Sequence, residues 1–123
     1  MALLGRIGGL LAWQWQDYSR EHRDRVNLVV HMATVPAFIA GTLACATQAM
    51  HAQWFGAAVA AVVAAIALLV QEISHGREGV RPLPPSSAAN AIARVFAEQF
   101  FTFPRFVLMG HWARNLAGPY NQG

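Results

Sequence analysis

The sequence predicts an all-α fold: a small polytopic membrane protein with an N-terminal interfacial helix, a two-helix transmembrane hairpin, and C-terminal helices that associate with the membrane or span it. Three observations carry this. Of the 123 residues, 55% are apolar. Only 12% are charged, about half of what a water-facing surface carries. The 46 residues between Arg25 and Glu72 contain no Asp, Glu, Lys or Arg. A pair of soluble amphipathic helices would not leave that gap, because each needs a polar face. The length suits a single domain over residues 1–123.

Residues 1–17 read as an interfacial helix, with Ala12, Trp13 and Trp15 at the membrane surface. The apolar run Ile7 to Trp15 is short and meets the charged block Asp17 to Arg25 rather than a cleavage pattern, so it does not read as an export signal. Tyr18 to Arg25 is the polar lead into the first span, Val26 to Met50. Asn27, His31, Thr34 and Pro36 interrupt the early part of that span, which a membrane helix tolerates where such residues face protein or a polar cavity. His51, Ala52 and Gln53 form the turn. The second span, Trp54 to Val70, has 17 residues, at the short end of the crossing range.

From Glu72 to Ser87, Gly76, Gly79, Pro82, Pro84 and Pro85 break regular helix. Ala88 to Met109 turns apolar again but carries Arg94, Glu98 and Arg105. Two short helices broken near Pro104, a re-entrant element and one tilted span all fit it. A final helix runs through His111 to Leu116 and is ended by Gly118 and Pro119.

Several function classes are disfavoured. All nine basic residues are arginines, and the net charge of +3 is not gathered into the stripe that phosphate binding needs, so no nucleic-acid partner is expected. Cys45 is alone, which excludes an intramolecular disulfide framework and a four-thiolate zinc site. There is no phosphate-cradling glycine loop, no HExxH and no Gly-x-Ser-x-Gly elbow.

Arg20, Arg23 and Arg25 precede span one, Arg77 and Arg81 follow span two, and the intervening turn has neither Arg nor Lys. The positive-inside rule then places the N-terminus and both arginine clusters on the cytoplasmic side, in a bacterium of the inner membrane, with His51 outside. His22, His31 and His75 are thereby drawn to one membrane face. Asn27 and His31 are four apart, as are Gln71 and His75, so each pair shares a helix face if span two continues briefly past its apolar end. Imidazole is a good ligand for iron, zinc, nickel or copper, and amides orient ligands or bound water. His111 is a fourth imidazole if the C-terminal helices fold back, and Glu72 and Glu78 are nearby carboxylates. Arg81 reads either as a partner for an acidic headgroup or as a positive-inside anchor.

The same residues carry a family resemblance. The segment YSREHRDRVNLVVH, with Tyr18, His22, Arg23, Asn27 and His31 followed by Pro36, resembles the opening signature of the small membrane family that contains the fungal 2-hydroxy fatty acid dioxygenases. Gln71, His75, Gly76, Arg81 and Pro82 or Pro84 are similar to its second signature, and Pro104, Leu108, Gly110 and His111 to its third. The second departs from the family pattern: the glutamate expected four residues after the histidine is replaced by Gly79, and Glu78 stands three after it. The resemblance implies an iron(II)-dependent dioxygenase that shortens a membrane-partitioned 2-hydroxy fatty acid by one carbon. It implies Fe(2+) on His22, His31, His75 and His111, with Asn27 and Gln71 as orienting groups. Glu78 would be an acid/base group or a further ligand, and Arg81 a carboxylate clamp. The partners are then a fatty-acyl substrate and membrane lipids; a homo-oligomer stays open. The alternative is a non-enzymatic membrane scaffold or lipid-binding protein that uses the same histidines for hydrogen bonding. A channel component and a soluble haem or zinc protein are more distant readings.

Overall fold

The computed structural model describes residues 2–119, and among them every regular element is helical. In chain order these are α1 (Ala2–Tyr18), α2 (Arg25–Met50), α3 (Trp54–His75), α4 (Ala88–Ala97), a π-helical turn (Glu98–Thr102), α5 (Phe103–Leu108) and α6 (His111–Ala117).

α2 starts where Asp24, in extended backbone, accepts a 2.9 Å hydrogen bond from the Asn27 amide. Its 26 residues span about 39 Å at 1.5 Å per residue, more than a bilayer's hydrocarbon core. The turn to α3 runs through Ala52 in the left-handed region (φ 55°) and closes with Gln53 N–H donating to Gln48 O at 2.8 Å. α2 and α3 then pack as an antiparallel hairpin. Gly41 permits their close approach, since a Cβ there would meet Ala60 O at 3.0 Å and Ala64 N at 3.2 Å.

α3 continues five residues beyond the apolar run that ends at Val70. Its last turn is polar but inward-facing, with Gln71 and Ser74 buried and hydrogen-bonded across the helices, so polarity there costs the helix nothing. It ends at Gly76, whose N–H donates to Ile73 O at 3.1 Å.

Both long helices are apolar enough to cross a membrane, and only 28% of each one's most apolar window is buried. Val29, Leu43, Val59, Val62, Ile66, Leu69 and Ile73 point outward. A core helix of a soluble protein has the reverse distribution.

The region after Ser87 is a single helical run containing one widened turn. Ser87 caps α4 by accepting from Asn90 N at 3.0 Å. Phe103 N–H donates to Glu98 O, five residues back, just before Pro104, which has no N–H to offer Phe100. Of the three arrangements that fit this stretch, a gap between two helices near Pro104 is not the one formed: a π turn carries the helix through. Gly110, at φ 81°, makes the corner into α6, a conformation that a Cβ would strain.

α1 lies across α4 and the π turn, with Gln14 Nε2 donating to Arg94 O at 3.1 Å and Thr102 Oγ1 donating to Gln14 Oε1. Tyr18, Leu28, Val35, Phe103 and Phe106 form the core that joins α1, α2 and α5. α6 is tied to it by Trp112 Nε1, which donates to Leu28 O at 2.9 Å.

Candidate metal centre

His22 lies in the irregular stretch between α1 and α2, and His31 lies two turns into α2. Each turns its Nδ1 onto the carbonyl four residues earlier: His22 Nδ1 to Tyr18 O at 2.8 Å, His31 Nδ1 to Asn27 O at 2.9 Å. A carbonyl only accepts, so both Nδ1 atoms carry a proton, and each neutral ring then presents its lone pair at Nε2. Each Nε2 is buried and has no hydrogen-bond partner. Two orphaned imidazole acceptors in a protein interior are costly unless something binds them.

His75, the last residue of α3, completes the set. The three rings stand nearly perpendicular to one another: His22 and His31 are 4.9 Å apart at 86°, and His75 lies 4.8 Å from each at 80° and 87°. Glu98, the first residue of the π turn, closes the group with Oε2 at 3.4 Å from His22 Nε2 and 3.7 Å from His31 Nε2. The available ligand atoms of His22, His31, His75 and Glu98 all lie within 4.8 Å of one another, and this group could hold a metal ion. Three neutral imidazoles and one carboxylate suit a divalent transition metal.

Groups around the four ligands orient them. Tyr18 donates its hydroxyl to Glu98 Oε2 at 2.6 Å and stacks on His22 at 3.8 Å. Burial, and then the Glu98 charge, push the Tyr18 hydroxyl well above its ordinary pKa, so it stays a donor. A small cavity of about 110 Å³ opens beside the cluster, bounded by Trp13, Glu21 and Arg94 as well as by His22, His75 and Glu98. Burial, with Asp17 and Glu98 adding repulsion, raises the Glu21 carboxyl to about 7.

The residues singled out from sequence divide into two sets. His22, His31 and His75 meet. His111 does not join them: its ring packs 5.3 Å from Trp15 and 6.0 Å from Phe106. Glu98 holds the fourth position instead.

Glu78 is buried, but it faces the start of α2, where it accepts from the backbone N–H groups of Arg23 (2.9 Å) and Asp24 (3.1 Å) and from Asn27 Nδ2 (2.7 Å). That makes it a structural clamp between the loop after α3 and the His22 segment. Asn27 acts through its backbone carbonyl on His31, while its side chain accepts from Ser74 Oγ at 2.5 Å. Gln71 forms a reciprocal amide pair with Gln99, at 3.0 and 2.8 Å, fixing α3 against the residue next to Glu98. Arg81 is exposed, donates to Gly76 O at 3.4 Å, and lies along an open groove that reaches His75 and Glu98.

Sequence reasoning missed Glu98 and Tyr18. A carboxylate in an otherwise apolar stretch was the available signal for Glu98. No family model, curated protein or solved structure matches the chain.

Proposed function

We propose that the protein is an integral membrane metalloenzyme, in bacteria of the inner membrane with the cluster toward the cytoplasm. It holds one iron(II) on His22, His31, His75 and Glu98 and shortens 2-hydroxy fatty acids by one carbon. The observation that carries the metal is the pair of buried, partnerless Nε2 atoms facing His75 and Glu98. The substrate class rests on the resemblance of the Tyr18 to His31 segment, and on a site that adjoins two helices apolar enough for a bilayer.

Bound iron would supply activation of O₂ and a template for the substrate's hydroxyl and carboxylate oxygens. The reaction balances with O₂ as oxidant: the hydroxyl-bearing carbon becomes the new carboxyl, the old carboxyl carbon leaves as carbon dioxide, and one water forms. The protein's own residues do the rest. Tyr18 keeps the Glu98 carboxylate aimed, and Asn27 O and Tyr18 O fix the imidazole tautomers. Glu21 faces the cavity beside the ligands and can exchange a proton there. Arg81 stands at the polar mouth, where a carboxylate would arrive.

The test is anaerobic purification, loading with Fe(II), and incubation with 2-hydroxy fatty acids under O₂. The expected product is the acid one carbon shorter, formed with stoichiometric carbon dioxide; iron-loaded protein that leaves these acids intact contradicts the reading. A second reading is favoured by Glu98 itself, since it brings the protein donors to four, the number that structural zinc sites use. In that case the protein retains zinc from cells, and the metal stabilises the fold without turnover.

A further inference from the structure

The open groove beside the cluster does not end at Arg81. About 680 Å³ in volume, it passes from His75 and Glu98 between Arg81 and Arg94 and on to Leu68, Ala91 and Val95. Those last three residues also wall a second groove of about 540 Å³, between α2, α3 and α4. Each volume lies within the roughly 300–1,000 Å³ of ordinary small-molecule sites. The shared walls make one continuous cleft.

Its two ends differ in chemistry. The upper end has two guanidinium groups. Arg94 is held in place by Trp13, 4.3 Å beneath it, and by the Leu83 carbonyl, which accepts from Nη1 at 2.5 Å; its Nε is buried without a partner. Two acids, Glu72 and Glu98, line the same groove, and Glu98 is one of the four candidate metal ligands. The lower end has no charged residue: Ala46, Ala61 and Ala65 form an outward-open floor between Phe38 and Phe96. From His75 to Ala61, α3 rises about 21 Å, a length that suits a long chain rather than a short one. Because Ala61 and Ala65 are exposed and border the outward apolar face of α3, a chain can slide in from the bilayer without crossing water.

We propose that this cleft is a lateral binding site for one unbranched acyl chain with an anionic head. The head lies at Arg81 beside His75, the tail runs past Leu68 and Val95, and Ala61 and Ala65 set the greatest chain length accepted. The proposal rests on the metalloenzyme reading only for which end of the ligand reacts. Binding itself needs no metal.

The experiment uses the full chain in phosphatidylcholine nanodiscs and two photoreactive palmitic acids, one with the diazirine near the methyl end and one with it near the carboxylate. Adducts are mapped by mass spectrometry. The methyl-end probe is expected on Phe38, Ala46, Ala61 or Phe96, and the carboxylate-end probe on Leu83 or Val95. Ala65→Trp should cut the methyl-end adducts about tenfold while leaving metal content at the wild-type level. Ala61→Leu serves as a second block with less bulk. Adducts scattered over Val29, Val62 and Leu108 and indifferent to both substitutions would overturn the cleft. The ordered pattern in protein that takes up no metal would keep the cleft and remove the metalloenzyme; scattered adducts on metal-loaded protein would do the opposite.

Discussion

Tyr18 and Glu98 stand 80 positions apart and share a 2.6 Å hydrogen bond, so the end of the first helix aims the carboxylate of the π turn into the histidine cluster. Tyr18 also stacks on His22, so it touches both a candidate carboxylate ligand and a candidate imidazole ligand.

Tyr18→Phe separates these roles, because the ring remains and only the hydroxyl goes. Loss of an orienting partner around a metal commonly costs 10–100-fold in affinity, and about that loss is expected here, with helicity and thermal stability of the metal-free protein little changed. Competition with a chromophoric chelator measures it; unchanged affinity would show that Glu98 is oriented without Tyr18.

Glu78→Ala is expected to act on stability rather than on the metal. It strips acceptors from the buried Asp24 amide, from the Arg23 amide and from Asn27 Nδ2, at about 1–3 kcal/mol for each buried group left unpaired. Thermal unfolding should fall sharply, with metal stoichiometry retained in the folded fraction. Unaltered unfolding with lost turnover would instead make Glu78 part of the chemistry.

The Gln71 and Gln99 amide pair is buried, and each side chain satisfies the other. Gln99→Leu alone leaves Gln71 unpartnered and should destabilise by about 1–3 kcal/mol. The Gln71→Leu, Gln99→Leu double variant should recover much of that, since both polar groups are gone. A double-mutant cycle on thermal or denaturant unfolding reads the coupling. Additive effects would deny the pair its role.

In metal-free protein, Glu21 introduces a pH dependence. Its carboxyl is raised from 4.5 to about 7 by burial and by the negative Asp17 and Glu98, so between those values the folded state keeps a proton that the unfolded chain has released. That contribution favours the fold at the acid end and is lost as pH rises through the folded value. The difference in melting temperature between about pH 5 and about pH 7.5 should therefore shrink in Glu21→Gln. An identical profile in the variant would remove Glu21 as the cause.

Much of this architecture was legible in the chain. The uncharged gap between Arg25 and Glu72 is what two outward-facing apolar helices require, and α2 and α3 fill it to within a few residues. The last turn of α3 was obscured because Gln71 and Ser74 are polar, and their partners, Gln99 and Asn27, lie on other helices. His22, His31 and His75 converge because each lies at the same end of the hairpin, a consequence of spacing and arginine placement. Glu98 could not be placed the same way, since its aim depends on a π turn that local pattern does not announce. Glu78 lies closer to His75 in sequence, yet the turn after α3 sends it to the backbone amides ahead of α2, which need an acceptor and favour a carboxylate. His111 follows the left-handed corner at Gly110, which carries its ring onto Trp15 instead of into the cluster.

The most direct measurement is the metal content of detergent-purified protein after anaerobic Fe(II) loading, set beside His31→Ala, Glu98→Ala and His111→Ala. The four-ligand centre predicts one tightly held metal per chain in the wild type and in His111→Ala, and its loss in the other two. Metal that survives both His31→Ala and Glu98→Ala, or that departs with His111→Ala, would contradict it.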